Sequence, residues 1–270
     1  MSGSGNDFIM IDNRQGVVAD EVLEHLIVGA CRRRISAGAD GLILIEESNR
    51  ADFRWRFYNA DGSRAEMCGN GARCAARFAN LLGIAATNLS FETDVGRISA
   101  EIIGERVKIG MTEPGGLELD QRLNLGDTTV DYDYINTGVP HVVIASDELE
   151  EVDVFHTGRL IRNHESFAPA GTNVNFVQQL DFQSIAVRTY ERGVENETLA
   201  CGTGCVAASL VTGLKQGWQS PVDVRTRSGG ILRIYFNRRK EIFSDVYLEG
   251  DARIIYDGFL WEEAWESQNT

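Results

Sequence analysis

The chain has 270 residues, with 26 Lys and Arg against 40 Asp and Glu, for a formal charge of −14. Its 43 % hydrophobic and 24 % charged content is that of a soluble globular protein, which excludes disordered, collagen-like and multi-span membrane chains. So acidic a chain offers no broad footprint for nucleic acid or an anionic membrane, and its two basic runs, 32–34 and 238–240, read as solvated faces.

In chain order, residues 1–8 carry neither a basic nor an apolar leader region, so no signal peptide is expected. Residues 8–11 form a short apolar strand, and 22–35 carry apolar residues at helical spacing up to Gly38. A buried strand is predicted at 42–45 and an alternating one at 53–57, followed by an Asn59-Ala-Asp-Gly turn. Residues 72–82 are small, apolar on one face and free of β-branching, which predicts a buried helix. Strands follow at 89–93, 98–102 and 107–111. The second half repeats the series, with strands at 142–144, 174–177 and 185–190, a helix at 205–214, and strands at 222–226, 231–236 and 246–248.

The repeat has a fixed offset of 133 residues. It carries Gly5 onto Gly138, Gly38 onto Gly171, Cys68 onto Cys201, Gly69 onto Gly202, Gly71 onto Gly204, Thr93 onto Thr226 and Gly96 onto Gly229. Apolar positions keep the same register, as Ile43 with Phe176 and Phe57 with Tyr190. Such a period is too long for a solenoid and indicates a duplicated domain. The expected fold is α+β: two pseudo-symmetric domains, 1–120 and 121–270, each a curved, mostly antiparallel sheet around a central helix. Residues 132–135 read as a strand ahead of Gly138, whereas only four residues precede Gly5, so the first half is expected to lack most of one edge strand.

The chemistry concentrates in Cys68-Gly69-Asn70-Gly71 and Cys201-Gly202-Thr203-Gly204, each where a loop enters the central helix. Two glycines allow unusual backbone angles, and helix N-terminal N–H groups suit an anion such as a carboxylate. The same place favours a thiolate, but a helix end lowers a thiol by only about one pKa unit. A working base therefore needs a partner, and His141 and Glu191 are the candidates. Cys31, Cys74 and Cys205 lie within helical patterns and read as core thiols. Five cysteines, an odd number, point to reduced thiols and a cytoplasmic protein. Cys201 and Cys205 share a helical face, yet no further ligands stand at metal spacing, so no metal is expected. No P-loop or dinucleotide fingerprint is present, and Lys108, Lys215 and Lys240 all lie outside the candidate site, so no cofactor is expected. Two acid/base groups related by a pseudo-two-fold suit inversion of a stereocentre, one removing a proton and the other returning one.

Five ordered blocks resemble the diaminopimelate epimerase family over essentially the whole chain. They are Gly3-Ser-Gly5-Asn6-Asp7-Phe8, Asn59 to Arg73 around Cys68, Gly138-Val-Pro-His141, Gly171-Thr-Asn173-Val-Asn175-Phe176, and Glu191-Arg192-Gly193 running on to Cys201-Gly-Thr-Gly204. The resemblance implies two pseudo-symmetric domains with the site between them. It implies cofactor-free interconversion of LL- and meso-diaminopimelate, for lysine and peptidoglycan precursors, by a homodimer. Cys68 and Cys201 would be the acid/base thiols, tuned by His141 and Glu191. Gly69, Asn70, Gly202 and Thr203 would hold the reacting carboxylate, and Asn6, Asn59, Asn173, Glu191 and Arg192 the rest of the substrate. Asn59 also fits a plain turn residue, Glu191 with Arg192 a surface ion pair, and Asp61 and Arg73 structural positions. The chain departs from the family pattern in its short start, in Val139 where many members carry Asn, and in one extra residue between Glu191 and Cys201. The nearest alternative is a proline racemase or hydroxyproline epimerase of the same fold; a thiol redox protein is the alternative from another class.

Overall fold

The computed structural model describes residues 1–65, 67–126 and 128–266. The chain forms two compact units. One is Met1–Ile109 together with the segment that begins at Gly250; the other is Gly110–Glu249. The sequence reading placed a single cut at 120/121. The structure crosses at Ile109 and again at Glu249, because the residues after Gly250 return to pack with the first unit.

In the first unit the strands are β1 (Ser2–Gly3), β2 (Asn6–Asp12), β3 (Gly41–Glu46), β4 (Phe53–Asn59), β5 (Asn88–Thr93), β6 (Gly96–Ile103) and β7 (Arg106–Gly110), with helices α1 (Asp20–Ala30) and α2 (Gly69–Leu81). The strands pair in sequence order; β2–β3 and β4–β5 are parallel and the other pairs antiparallel. Every residue of β3 is buried. Its alternation explains this: Leu42 and Leu44 join Leu23, Leu26 and Ile27 of α1, while Ile43 reaches Gly71 of α2 on the opposite face. Helix α2 buries Ala72, Cys74, Ala75, Ala76 and Ala79 completely. Near it, Phe53 stacks on Phe91 with ring centres 4.8 Å apart.

The second unit contains β8 (Gly115–Asn124), β9 (Thr129–Asn136), β10 (Pro140–Ala145), β11 (Asn173–Asp181), β12 (Ser184–Glu191), β13 (Asn196–Thr198), β14 (Val222–Arg225), β15 (Ile231–Arg239) and β16 (Ile242–Asp251), with α3 (Val154–Arg162) and α4 (Gly202–Lys215). From β10 onward the pairing scheme repeats that of the first unit. The expected α+β duplication is therefore present, with α2 and α4 as the central helices. Helix α3, in the place of α1, is an element the sequence reading did not single out. It packs Val154 and Ile161 on Val142, Val174 and Tyr190.

The missing edge strand is there in short form. Two-residue β1 pairs with β2 where eight-residue β9 pairs with β10. Its outer edge is covered by the returning segment: Ser2 and Arg253 exchange backbone hydrogen bonds of 2.8 and 2.6 Å. Strand β8 gives β9 the same protection in the second unit. No helix among the described residues is long and apolar enough to cross a membrane.

The pairing registers also refine the repeat. Met10 pairs with Ile43 and Ile43 with Phe57; Val143, their offset partner, pairs with Asn175 and Asn175 with Thr189. The β3–β4 hairpin thus maps onto β11–β12 one residue short of the 133 offset, and the offset is restored by Cys68 and Cys201. Ile43 corresponds to Asn175, Phe57 to Thr189 and Asn59 to Glu191.

Helix α3 crosses β12 so closely that a Cβ on Gly158 would lie 2.4 Å from the Tyr190 Cβ. Gly158→Ala is expected to lower stability by about 1–3 kcal/mol, the usual cost of overpacking. Urea denaturation measures it, and an unchanged midpoint would contradict this packing.

Candidate active site

Cys68 and Cys201 are the N-caps of α2 and α4, both with extended backbone (φ −148° and −104°). Neither helix begins with an acidic residue. The first-turn N–H groups, which have no acceptor within a helix, are thus not opposed by local negative charge from the helix start.

The glycines of the two turns serve a different purpose from the one expected. Gly5, Gly38 and Gly96, and their repeats Gly138, Gly171 and Gly229, have positive φ; Gly69, Gly71, Gly202 and Gly204 do not. What the last residue of each motif needs is space. A Cβ on Gly71 would meet Ile43 at 3.1 Å, and one on Gly204 would meet Asn175 Oδ1 at 2.2 Å. Gly69 and Gly202 are less confined, with nearest atoms at 3.8 and 3.3 Å.

In the first unit Asn6, Asn70 and Arg73 form one chain of hydrogen bonds. Asn70 donates to Asn6 Oδ1 (2.6 Å), and Asn6 donates to Asp40 (3.1 Å). Arg73, which is completely buried, donates to Asn70 Oδ1, Ser4 Oγ, the Gly69 carbonyl and the Asp251 carbonyl. Asn6 and Asn70 are therefore held as a frame for the turn. Arg73, set aside by the sequence reading, is the hub that ties the residue after Cys68 in place. The signal available for it was an arginine inside an otherwise small, apolar helix. The frame extends to the basic run at 32–34, where Arg33 donates to both Asp7 and Asp40, so that run is not simply a solvated face. Asn59 ends β4 and bonds Ser63 Oγ at 3.0 Å, within a turn where Ser63 also bonds Asp61.

In the second unit the structure brings Cys201, Thr203 and Glu191 together. Cys201 is buried, with Sγ 3.6 Å from Thr203 Oγ1. Burial pushes its thiol well above the usual range and the Glu191 carboxylate adds to this; the hydrogen bonds from Thr203 and Gly204 oppose them without winning. At Cys201 burial thus outweighs the lowering that the helix end can supply. Burial also raises the Glu191 carboxyl, against a 2.8 Å hydrogen bond from Thr198. The loop that carries the extra residue keeps Glu191 in a strand pairing. The chain turns at Glu195, and β13 pairs Asn196 with Glu191 and Thr198 with Thr189.

Asn173 and Arg192 adjoin. Asn173 donates to the Pro140 carbonyl (3.0 Å) and accepts the Arg192 N–H (2.8 Å), while Arg192 reaches the Ala170 carbonyl (3.0 Å). His141 is completely buried, and that burial, with Arg192 nearby, pushes its pKa down to about 3. It is neutral at physiological pH, so the imidazolium of a thiolate–imidazolium pair is not available from it. Beneath it lie Asn175 and Thr189, which the sequence reading did not single out. The available clue was a polar residue inside an otherwise apolar strand; that its counterpart is Ile43 shows only in the backbone pairing.

Glu191 charge opposes the Cys201 thiolate, so Glu191→Gln is expected to move the pH profile of Cys201 alkylation to lower pH. Mass spectrometry of the iodoacetamide-labelled peptide reads this. A profile unmoved, or moved upward, would show that the carboxylate does not act on the thiol.

The family model described as diaminopimelate epimerase matches residues 1–115 and 133–255. Relatives named diaminopimelate epimerase include that of Aquifex aeolicus (strain VF5), 45 % identical over 98 % of both chains. Another is that of Chlorobaculum tepidum, 44 % identical over 96 % of this chain and 99 % of the relative. Among solved structures, a PhzF-family phenazine biosynthesis protein of Bacillus anthracis superposes with a TM-score of 0.72 at 15 % identity, covering 93 % of this chain and 92 % of that one. A probable proline racemase from Agrobacterium radiobacter K84 does so with a TM-score of 0.64 at 16 % identity, covering 98 % and 96 %. These two are similar in fold. The family model, matched over most of the length, and full-length relatives above 40 % identity place this chain in the diaminopimelate epimerase family.

Proposed function

We propose that this protein interconverts LL- and meso-2,6-diaminopimelate without a cofactor, using Cys68 and Cys201 as a two-base pair, in the supply of lysine and peptidoglycan precursors. The observation that carries the reading is the repetition of one device: a cysteine at the N-cap of a buried helix, once in each unit. The helix N–H groups at Asn70 and Thr203 suit the reacting carboxylate, since charge develops there as the α-proton leaves. Chemistry of this kind needs one thiol and one thiolate at rest, titrating as a pair. The burial of Cys201 beside Glu191 supports Cys201 as the resting acid and leaves Cys68 to act as base. In the reverse direction the Cys201 thiolate, once formed, is a strong base. Arg192, Asn173, Asn59 and Asn6 are assigned to the remainder of the substrate.

We place the protein in the cytoplasm as a homodimer. The first assignment is supported by five cysteines without a disulfide among them. The second is supported by the exposed apolar residues Ile254, Ile255, Tyr256, Phe259 and Trp261, a run unusual for a monomer surface. Gel filtration at the mass of one chain would sink the dimer.

Incubated with LL-diaminopimelate in D₂O and no added cofactor, the protein is expected to yield the meso isomer with deuterium at the inverted carbon. Cys68→Ser and Cys201→Ser should each lose at least about 10²-fold in turnover, the scale of general acid–base catalysis. Inversion without deuterium would exclude the two-base mechanism. Arg192→Ala should lose far more diaminopimelate activity than the exposed control Asn49→Ala, whereas turnover of proline with little turnover of diaminopimelate would favour the racemase reading.

A further inference from the structure

Three side chains line the strand surface beneath the first turn of each central helix. In the first unit they are Phe8, Ile43 and Phe57; Ile43 touches Gly71, and the two phenylalanine rings meet edge to face at 5.8 Å. In the second unit the corresponding residues are His141, Asn175 and Thr189, all buried. One duplicated scaffold therefore builds the same floor from apolar groups in one copy and polar groups in the other. The fold does not require the polar version, and buried polar groups cost free energy unless every one is paired.

The hydrogen bonds of the polar floor permit one arrangement. The Val142 carbonyl can only accept, so the Asn175 atom 2.8 Å away is the amide nitrogen. In that orientation Asn175 Oδ1 accepts the Thr189 hydroxyl at 2.9 Å. The Asn175 nitrogen also lies 3.1 Å from His141 Nδ1. Because that nitrogen carries only hydrogens, Nδ1 must be the acceptor, and the ring proton resides on Nε2. Nε2 is buried and has no hydrogen-bond partner among the described residues.

We propose that Asn175 is a positioning residue that locks His141 in the Nε2–H tautomer, making His141 a fixed hydrogen-bond donor toward the reacting groups rather than a base. The assignment of a catalytic task to that donor rests on the epimerase reading; the tautomer does not. Imidazolium formation would turn Nδ1–H against the Asn175 N–H, so the lock also opposes protonation. Gly204 belongs to the device, since any side chain there would collide with Asn175 Oδ1.

The test is a long-range ¹H–¹⁵N correlation spectrum of the ¹⁵N-histidine-labelled protein without substrate. His141→Gln assigns the resonance among the four histidines. The expected spectrum shows protonated Nε2 and bare Nδ1 at pH 6 and at pH 8. In Asn175→Leu the tautomers should mix, and kcat should fall at least about ten-fold with KM changed much less, within the usual reach of a positioned group. Should that variant fail to fold, Asn175→Ile, as Ile43 in the first unit, with the isosteric Thr189→Val carries the same readout. A parent His141 protonated on Nδ1, an imidazolium at pH 6, or a variant spectrum identical to the parent's would overturn the proposal. A parent with the expected tautomer but no turnover of diaminopimelate would refute the substrate reading and leave the lock standing.

Discussion

The first turn of each central helix lies so close to the strand beneath it that the last residue of the Cys-Gly-x-Gly motif has little or no room for a side chain. That approach governs much of what surrounds it. At α4 it buries the helix mouth, so Cys201 lies shielded from water, where each neighbouring charge counts for more than at the surface, whereas Cys68 on α2 stays half-buried. It also makes residues 43 and 175 part of the site, although both lie on strands well away from the motif in sequence.

On this shared frame the two helix mouths have different charged neighbours. In the first, the Arg73 guanidinium is buried at the helix start and Asn59 ends β4. In the second, Val206 takes the arginine position and the Glu191 carboxylate takes that of Asn59. A cation beside one turn and an anion beside the other is the asymmetry that the proposed thiolate and thiol would need. The exact repeat of the motifs specifies two equivalent thiols. The residues that break the repeat are the ones able to make them unequal. Burial outweighs the helix end at Cys201 because a helix end contributes about 0.3–1 kcal/mol, whereas desolvating a charge costs several.

Much of the fold was legible because its signals are local. The predicted central helices begin within three residues of the observed starts, and the strands flanking them were found along the chain. Left-handed turns at Gly38 and Gly171 declare themselves through glycine at equivalent positions. The one-residue slip of the hairpin was not legible. The apolar pairs Ile43–Phe176 and Phe57–Tyr190 align well by type, and only backbone pairing shows Asn175 and Thr189 to be the true partners. The return of the chain after Gly250 was hidden for a related reason. It depends on a long-range pairing with Ser2 that no periodicity encodes. At the site, residue identities were readable and their states were not. The sequence shows that His141 and Cys201 can titrate, but burial decides that one is neutral and the other protonated.

The two floors give the energetic argument its sharpest form. An unsatisfied buried polar group costs about 1–3 kcal/mol, and an aromatic pair such as Phe8 with Phe57 contributes about 0.5–1.5 kcal/mol beyond its buried area. Judged by stability alone, the apolar floor is the better solution, and the first unit demonstrates that the scaffold accepts it. The polar floor pairs its members so fully that Asn175 spends both N–H groups and its oxygen, yet it ends on one buried donor, His141 Nε2, without a protein acceptor among the described residues. A network satisfied everywhere except at its outermost atom is organised around that atom. The glycine at 204, the asparagine at 175 and the histidine at 141 are therefore parts of one constraint, running from the helix mouth to the donor.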